Sequence, residues 1–417
     1  MRKELPLSKQ IVHMLILALM LTPNLMFNAS ANAMSPQLKA MFDDDNFNNL
    51  SYTISAIPQI FSLIFVSILI DTIGTGIVMP FLQIVNILAT IFCIVGAYKQ
   101  DKTIFLIGRC IFGLSGETAY SGQSKLIVQL ISKQFHAIAY AFAMAGMVGG
   151  EMLAVLLLPI NSNVVSSFEL IIGLQVLGLL CIIFYSFYSP YFESHQQLPL
   201  KTEIITSEQA ENQQQQVISF KQSLKNTFVQ IKSLSIWYWF IAISRILCTA
   251  SCKVYDSRSV NSLAGIFQLP ISTVKTNIVY QGSSAAIILV LLSLIQLRFQ
   301  KIQHLAFSGQ LLIVLSMLFF IFGNKNFLLA ICLTTGIGMG LSISTANALL
   351  VDLAGKKLGA SAVGFVYSLR YLTITILTPI VQSIANNNQR NNGWLYFALQ
   401  IVSITFLGVT IVMKIGM

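Results

Sequence analysis

The sequence specifies an all-α polytopic membrane protein with twelve transmembrane helices in two groups of six, and three observations lead there. Of its 417 residues, 55% are hydrophobic and 10% are charged, with a mean hydropathy of +0.75. A soluble domain needs roughly a quarter of its residues charged, so this chain lacks the polar surface to stay in water. Its apolar residues come in runs of about 20, the length of a spanning helix and about twice that of a barrel strand. In hydrocarbon every backbone N–H and C=O must be paired internally, and a run of that length does so only as a helix.

Taken in order, the expected spans are 10–33, 50–71, 77–97, 103–124, 135–158 and 167–189, then 235–256, 275–297, 303–323, 326–350, 360–385 and 394–413. A polar segment separates the sixth from the seventh. The chain thus divides into a six-helix half at 1–189, a linker at 190–234 and a second six-helix half at 235–417. The linker holds a glutamine run at 213–216 and much of the clustered charge, with a short amphipathic helix expected near 220–228. Basic residues outnumber on one loop side, which includes Arg2, Lys3, Lys125, Lys133, Lys201 and Lys356. The other side carries Lys39, Lys99, Lys102, Lys253, Lys275 and Lys325. The bias puts both termini and the linker in the cytoplasm. A competing reading takes Ala31-Asn32-Ala33 as a signal-peptide cleavage site, leaving eleven spans. Asn28-Ala29-Ser30 and Asn49-Leu50-Ser51 are sequons in form, but one lies inside a span and the other against it.

Several function classes fall away. The formal charge of +10 is spread over helix ends without a recognition motif, which argues against nucleic acid. No P-loop is present, so direct use of ATP is not expected. The histidines (His13, His136, His195, His304) are scattered, and of the six cysteines only Cys248 and Cys252 sit one helical turn apart. Neither pattern makes a metal site, no carboxylate pair or histidine cluster is arranged for catalysis, and no cofactor is expected.

Charges inside spans are the sharper signal, because a buried charge must face a cavity or a partner. There are five: Arg109, Glu117, Glu151, Arg245 and Arg370. Arg109 and Glu117 lie eight residues apart, about 12 Å along one helix and about 80° around it, so both can look toward one cavity and engage different helices. Each of the five either pairs with a neighbouring helix or lines a solute cavity. Tyr120, Tyr140, Trp239, Tyr367 and Tyr371 either line the same cavity or anchor the helices at the interface. The fifth span is rich in small residues, among them Gly146, Gly149 and Gly150, which allow close approach of moving helices.

Together these features resemble the major facilitator superfamily, whose two six-helix halves are joined by a cytoplasmic linker. Ser67-Ile-Leu-Ile-Asp71-Thr-Ile-Gly74 is similar to the family's G-x-L-x-D-x-x-G loop, although Ser67 replaces its first glycine and Thr75, Gly76 and Ile77 stand where basic residues usually follow. Gly108-Arg109-Cys-Ile-Phe-Gly113 resembles its R-x-x-x-G pattern, and Gln296 stands where the second half would repeat the acid. The resemblance implies conformational roles for Asp71, Gly74, Gly113, Gly146, Gly149 and Gly150, with the gating salt bridge at Asp71 left open by the missing basic residues.

Two stretches are similar to the lysosomal dipeptide uniporter branch. They are Gly108-Arg109-Cys-Ile-Phe-Gly113-Leu-Ser-Gly116-Glu117-Thr-Ala and Leu358-Gly359-Ala-Ser-Ala-Val-Gly364-Phe365-Val-Tyr-Ser368-Leu. That branch implies facilitated uniport of dipeptides or similar zwitterions by alternating access. Its membrane is lysosomal or vacuolar, with the plasma membrane as the alternative, and its partner is a glycosylated accessory subunit. By the resemblance Glu117 receives the substrate amino group. Val148 occupies the branch's fifth-span arginine position, which passes the carboxylate to Arg245 or Arg370. The substrate-binding set expected is then Glu117, Arg109, Glu151, Arg245, Arg370, Tyr120, Tyr367 and Tyr371. Two other readings compete: proton-coupled symport of another small organic solute, with Glu117 or Glu151 as proton acceptor, and a non-transporting receptor or scaffold.

Overall fold

The computed structural model describes residues 7–44, 47–160, 163–196, 220–296, 302–387 and 390–415. The first part of the chain forms α1 (Leu7–Met20), α2 (Thr22–Ala33), α3 (Ser35–Phe42), α4 (Phe47–Thr72), α5 (Thr75–Lys99), α6 (Lys102–Ser115), α7 (Ala119–Leu130), α8 (His136–Leu157) and α9 (Val164–Gln196). Then come α10 (Phe220–Lys232), α11 (Ile236–Phe267), α12 (Ile271–Gln296), α13 (Ile302–Phe322), α14 (Leu328–Asn387) and α15 (Asn391–Ile415). Large apolar side chains such as Phe61, Phe81, Leu177 and Val412 point outward, as they do where lipid rather than water is the solvent.

Among the described residues ten helices are long and apolar enough to cross a membrane, and the pair Lys225–Lys232 and Ile236–Asp256, bent by 98°, makes an eleventh if taken as one span. The chain is therefore a multi-pass integral membrane protein. The span expected at 103–124 is not one helix. It breaks at 116–118, between α6 and α7, where bonding tightens to Glu117 O accepting from Tyr120 N and Thr118 O accepting from Ser121 N, the i→i+3 pattern of a 3₁₀ turn. The seventh span also differs: its helix runs past 256 to Phe267, so Lys253, counted with the basic residues of one loop side, lies well inside the helix. The segment 22–33, read alternatively as a cleavable leader, is packed in the bundle with Met26, Phe27 and Ala31 fully buried. The amphipathic helix of the linker is present as α10, while 197–219, Arg2, Lys3 and Lys201 lie outside the described residues, as does the side chain of Gln296.

Local chemistry sets the turns. Asp101 caps α6 by accepting from the N–H groups of Thr103 at 2.8 Å and Ile104 at 3.2 Å. Gly74 joins α4 to α5 at φ +106°, and Gly355 turns α14 into two legs at φ +76°, conformations that a side chain disfavours. Close approaches fix the packing. A Cβ on Gly113 would meet the Ser55 carbonyl oxygen at 2.2 Å, one on Gly146 the Ala18 oxygen at 2.1 Å, and one on Gly150 the Thr22 oxygen at 2.2 Å. So α8 lies directly against α1 and α2. Nothing lies within 4 Å of the corresponding point on Gly149, so that glycine, unlike its neighbours, is not at a helix contact.

Helices from the two parts of the chain meet chiefly in two places: α4 against α14, and α8 against α12. Gly364 on the second leg of α14 faces Leu63 and Ser67 of α4.

Candidate functional site

One face of α11 runs along a cavity enclosed by α8, α12 and α14. Arg245, Thr249, Lys253 and Asp256 all line it, and their spacing of four, four and three residues keeps them on one helical stripe. The outer chamber is about 190 Å³ and reaches the helix ends at Ala33, Pro159 and Lys275. A deeper chamber of about 80 Å³ is bordered by Glu117, Arg245, Tyr367 and Arg370. Val148, Glu151, Lys253 and Asp256 border both.

At the deep end the break between α6 and α7 presents Glu117, which is only 3% exposed. One carboxylate oxygen accepts from Asn28 Nδ2 of α2 at 3.0 Å, the other from Arg370 Nη2 of α14 at 2.8 Å. Arg370 lies over the rings of Tyr367 at 4.7 Å and Tyr371 at 4.5 Å. A buried ion pair of good geometry offsets part of the desolvation cost; this one leaves Arg370 Nε buried without an acceptor, and it ties the two parts of the chain together. Arg245 is nearby but differently placed. Its Nε donates to Asn347 Oδ1 at 3.1 Å and its Nη2 to the Tyr367 hydroxyl at 3.3 Å. Asn347 in turn donates to the Tyr120 hydroxyl at 2.7 Å, and the Tyr120 and Tyr367 rings lie 5.0 Å apart.

Toward the open end, Lys253 Nζ pairs with Glu151 Oε1 at 2.6 Å, a second ion pair between the two parts of the chain. Asp256 accepts from Gln281 Nε2 at 2.8 Å. Among the described residues no group of three or more His, Cys, Asp or Glu gathers as metal ligands would.

The structure thus brings Glu117, Glu151, Arg245, Arg370 and Tyr367 to one cavity. It sets Tyr120 and Tyr371 behind that layer, as supports. It takes Arg109 elsewhere. That guanidinium is fully buried, donates to the carbonyl oxygens of Phe27 at 2.9 Å and Asn28 at 3.4 Å, and lies 5.0 Å and 5.7 Å from the Phe27 and Phe112 rings. The eight-residue spacing to Glu117 does not bring the two to a common space: Arg109 is spent on α2 carbonyls, and Glu117 borders the deep chamber. Gly116, beside Glu117, leaves no opening for a ligand: the Phe112 ring fills the place of its missing side chain. Asn28, Lys253, Asp256 and Asn347 escaped the sequence reading. For Lys253 and Asp256 a signal existed, since both continue the stripe begun by Arg245.

Asp71 lies at the contact between α4 and the second leg of α14. It accepts from Ser361 N at 2.8 Å and Ser361 Oγ at 2.5 Å, and Lys125 Nζ stands 3.2 Å from its other oxygen. The cation missing after Gly74 is thus supplied by α7. His136 Nδ1 is 3.6 Å from Asp352 Oδ1, and midway along α4 the Ile60 carbonyl accepts from Ser368 Oγ at 2.5 Å.

The family model described as Major Facilitator Superfamily matches residues 17–379. Two solved structures of FucP share the fold. The E. coli fucose:proton symporter, as a point variant, aligns with a TM-score of 0.71 at 14% identity, covering 96% of this chain and 99% of that one. FucP in an outward conformation aligns at 0.73 with the same identity and coverage. The human organic anion transporter MFSD10 (TETRAN) aligns at 0.72 with 12% identity, covering 97% and 100%. No curated protein matches the sequence. None of these matches singles out a dipeptide carrier.

Proposed function

Because the chain belongs to the Major Facilitator Superfamily, we propose that it is a secondary transporter, not an enzyme, that moves a small organic solute by alternating access through the cavity along α11. The observation that carries this reading is the Glu117–Arg370 pair at 2.8 Å. It joins the two parts of the chain at the floor of a cavity that is latched at the Asp71 end and reaches the helix ends at the other. Rocking of the two parts about a central site requires contacts of this kind, which exchange as the site changes sides. The division into halves at 1–189 and 235–417 with a linker between belongs to the same proposal.

Proton coupling is the form of transport we favour. Glu117 holds together both Asn28 and Arg370, so a proton on its carboxylate removes the charge that keeps the pair closed and links the pair to the proton gradient. FucP is by its name a proton symporter. Uniport of dipeptides, on a lysosomal membrane with a glycosylated accessory subunit, rests on the sequence resemblance alone. In that version a substrate amino group must compete with Arg370 for Glu117.

The test is uptake by the full-length protein in proteoliposomes, against dipeptides, amino acids, sugars and organic anions, with and without an imposed pH gradient. Accumulation driven by the gradient, and its loss in E117Q normalised to folded protein, is expected. Gradient-independent equilibration would favour uniport. No movement of any solute class would leave a receptor or scaffold in place of a carrier.

A further inference from the structure

We propose that Arg245 is the recognition site for a single carboxylate on the transported solute, an inference that rests on the carrier reading above and gives its substrate class. The other two cations that reach the deep chamber are already matched: Arg370 by Glu117 at 2.8 Å and Lys253 by Glu151 at 2.6 Å. Arg245 is not. Among the described residues no carboxylate lies within ion-pairing distance of it, and its hydrogen-bond partners, Asn347 and Tyr367, are both neutral. It is only 2% exposed, and its Nη1 is buried without an acceptor.

A buried guanidinium with an unused donor is costly unless something supplies the missing charge. The surroundings hold the group in place without neutralising it. Asn347 fixes Nε and is itself bonded to the Tyr120 hydroxyl, while the Tyr367 ring lies 5.6 Å from the guanidinium carbon. What is left without an acceptor is Nη1 of a planar guanidinium held on the wall of the deep chamber. Carboxylate is the anion that fits. Its two oxygens match a guanidinium fork, and one negative charge meets one uncompensated positive charge. A phosphate dianion would need a second free cation, and both candidates in the chamber are paired. Of the carboxylates on the chamber, Glu117 and Glu151 are engaged by Arg370 and Lys253, and Asp256 accepts from Gln281 Nε2 at 2.8 Å.

The probes are acetate, lactate, benzoate and alanyl-alanine, each beside its amide, added to the purified full-length protein while its thermal unfolding is followed. At least one carboxylate is expected to raise the unfolding temperature where its amide does not. R245K should weaken that effect about tenfold by losing the fork, and R245Q should abolish it. The wild-type comparison of acid with amide stands even if R245Q fails to fold. Equal stabilisation by acid and amide, or none by any of the acids, overturns the proposal. Counterflow in proteoliposomes separates it from the carrier reading. Movement of neutral solutes with no preference for the acids keeps the carrier and rejects the Arg245 site. Acid-specific stabilisation through Arg245 with no movement keeps the site and rejects the carrier.

Discussion

Among individual residues, the five in-span charges were legible because a charge among apolar neighbours stands out in any sequence. Their partners were not. Spacing along a helix states which face a side chain takes, but what stands opposite depends on how distant segments pack. Arg109 and Arg370 illustrate the difference. Both are buried guanidinium groups, yet one meets backbone carbonyls of α2 and the other meets Glu117. Their replacements should behave differently. R109Q removes charge-assisted bonds that hold α2 at Phe27 and Asn28, at a cost of about 2 kcal/mol. It should lower the yield of folded protein, seen by size-exclusion chromatography, more than uptake per folded molecule. Removing one member of the Glu117–Arg370 pair leaves an uncompensated buried charge, worth about 3 kcal/mol or more. E117Q and R370Q should each lower thermal stability, and the double variant should lose less than the two single losses combined. Strict additivity would show that the 2.8 Å contact contributes little.

Across whole helices, apolar run length located most spans, because lipid imposes the same length on each. It misjudged two elements that serve the cavity. The 103–124 run is broken at 116–118, where the turn presents Glu117, and apolar composition carries no mark of such a break. The run ending at 256 continues to Phe267. Lys253 and Asp256 read as a helix end because charges normally signal water, and here they face an internal cavity. Small-residue packing of α8 was half legible. Gly146 and Gly150 recur at four residues and share a face, and both touch carbonyls of α1 and α2, while Gly149 looks onto open space. The separation gives a direct test. G146A and G150A should impair folding and transport, since each added methyl meets a backbone oxygen at about 2 Å, far inside any real contact. G149A should be near wild type in both, and raise helix propensity slightly. Equal damage from all three, in yield and in uptake per folded molecule, would reject the helix-contact account.

For the molecule as a whole, the two parts of the chain are parted by the cavity along α11, which reaches Ala33, Pro159 and Lys275, and are tied together at Asp71. In the proposed carrier this tie closes the other side. The tie crosses from α4 to the second leg of α14, through two bonds from Ser361 to one Asp71 oxygen and the Lys125 ammonium beside the other. The family-like Asp71 and Gly74 announced a device at this place, but Lys125 and Ser361, distant in sequence, could not be named until the fold brought them there. D71N keeps the shape and one acceptor but removes the charge. A hydrogen bond to a charged group is worth about 1.5–3 kcal/mol, and every 1.4 kcal/mol is about a tenfold change in population. The variant should therefore move the equilibrium toward the form open at the Asp71 end by roughly tenfold or more. Met144, on the cavity wall, is a suitable reporter. As Met144→Cys in a background without the six native cysteines, it should react with an impermeant maleimide faster from the Asp71 end in D71N. It should react more slowly from the opposite side, because a population gained on one side is lost on the other. S361A, which removes only the hydroxyl bond, should shift both rates in the same directions by less. Faster labelling from both sides at once would mean that Asp71 holds the fold together and does not choose between two access states.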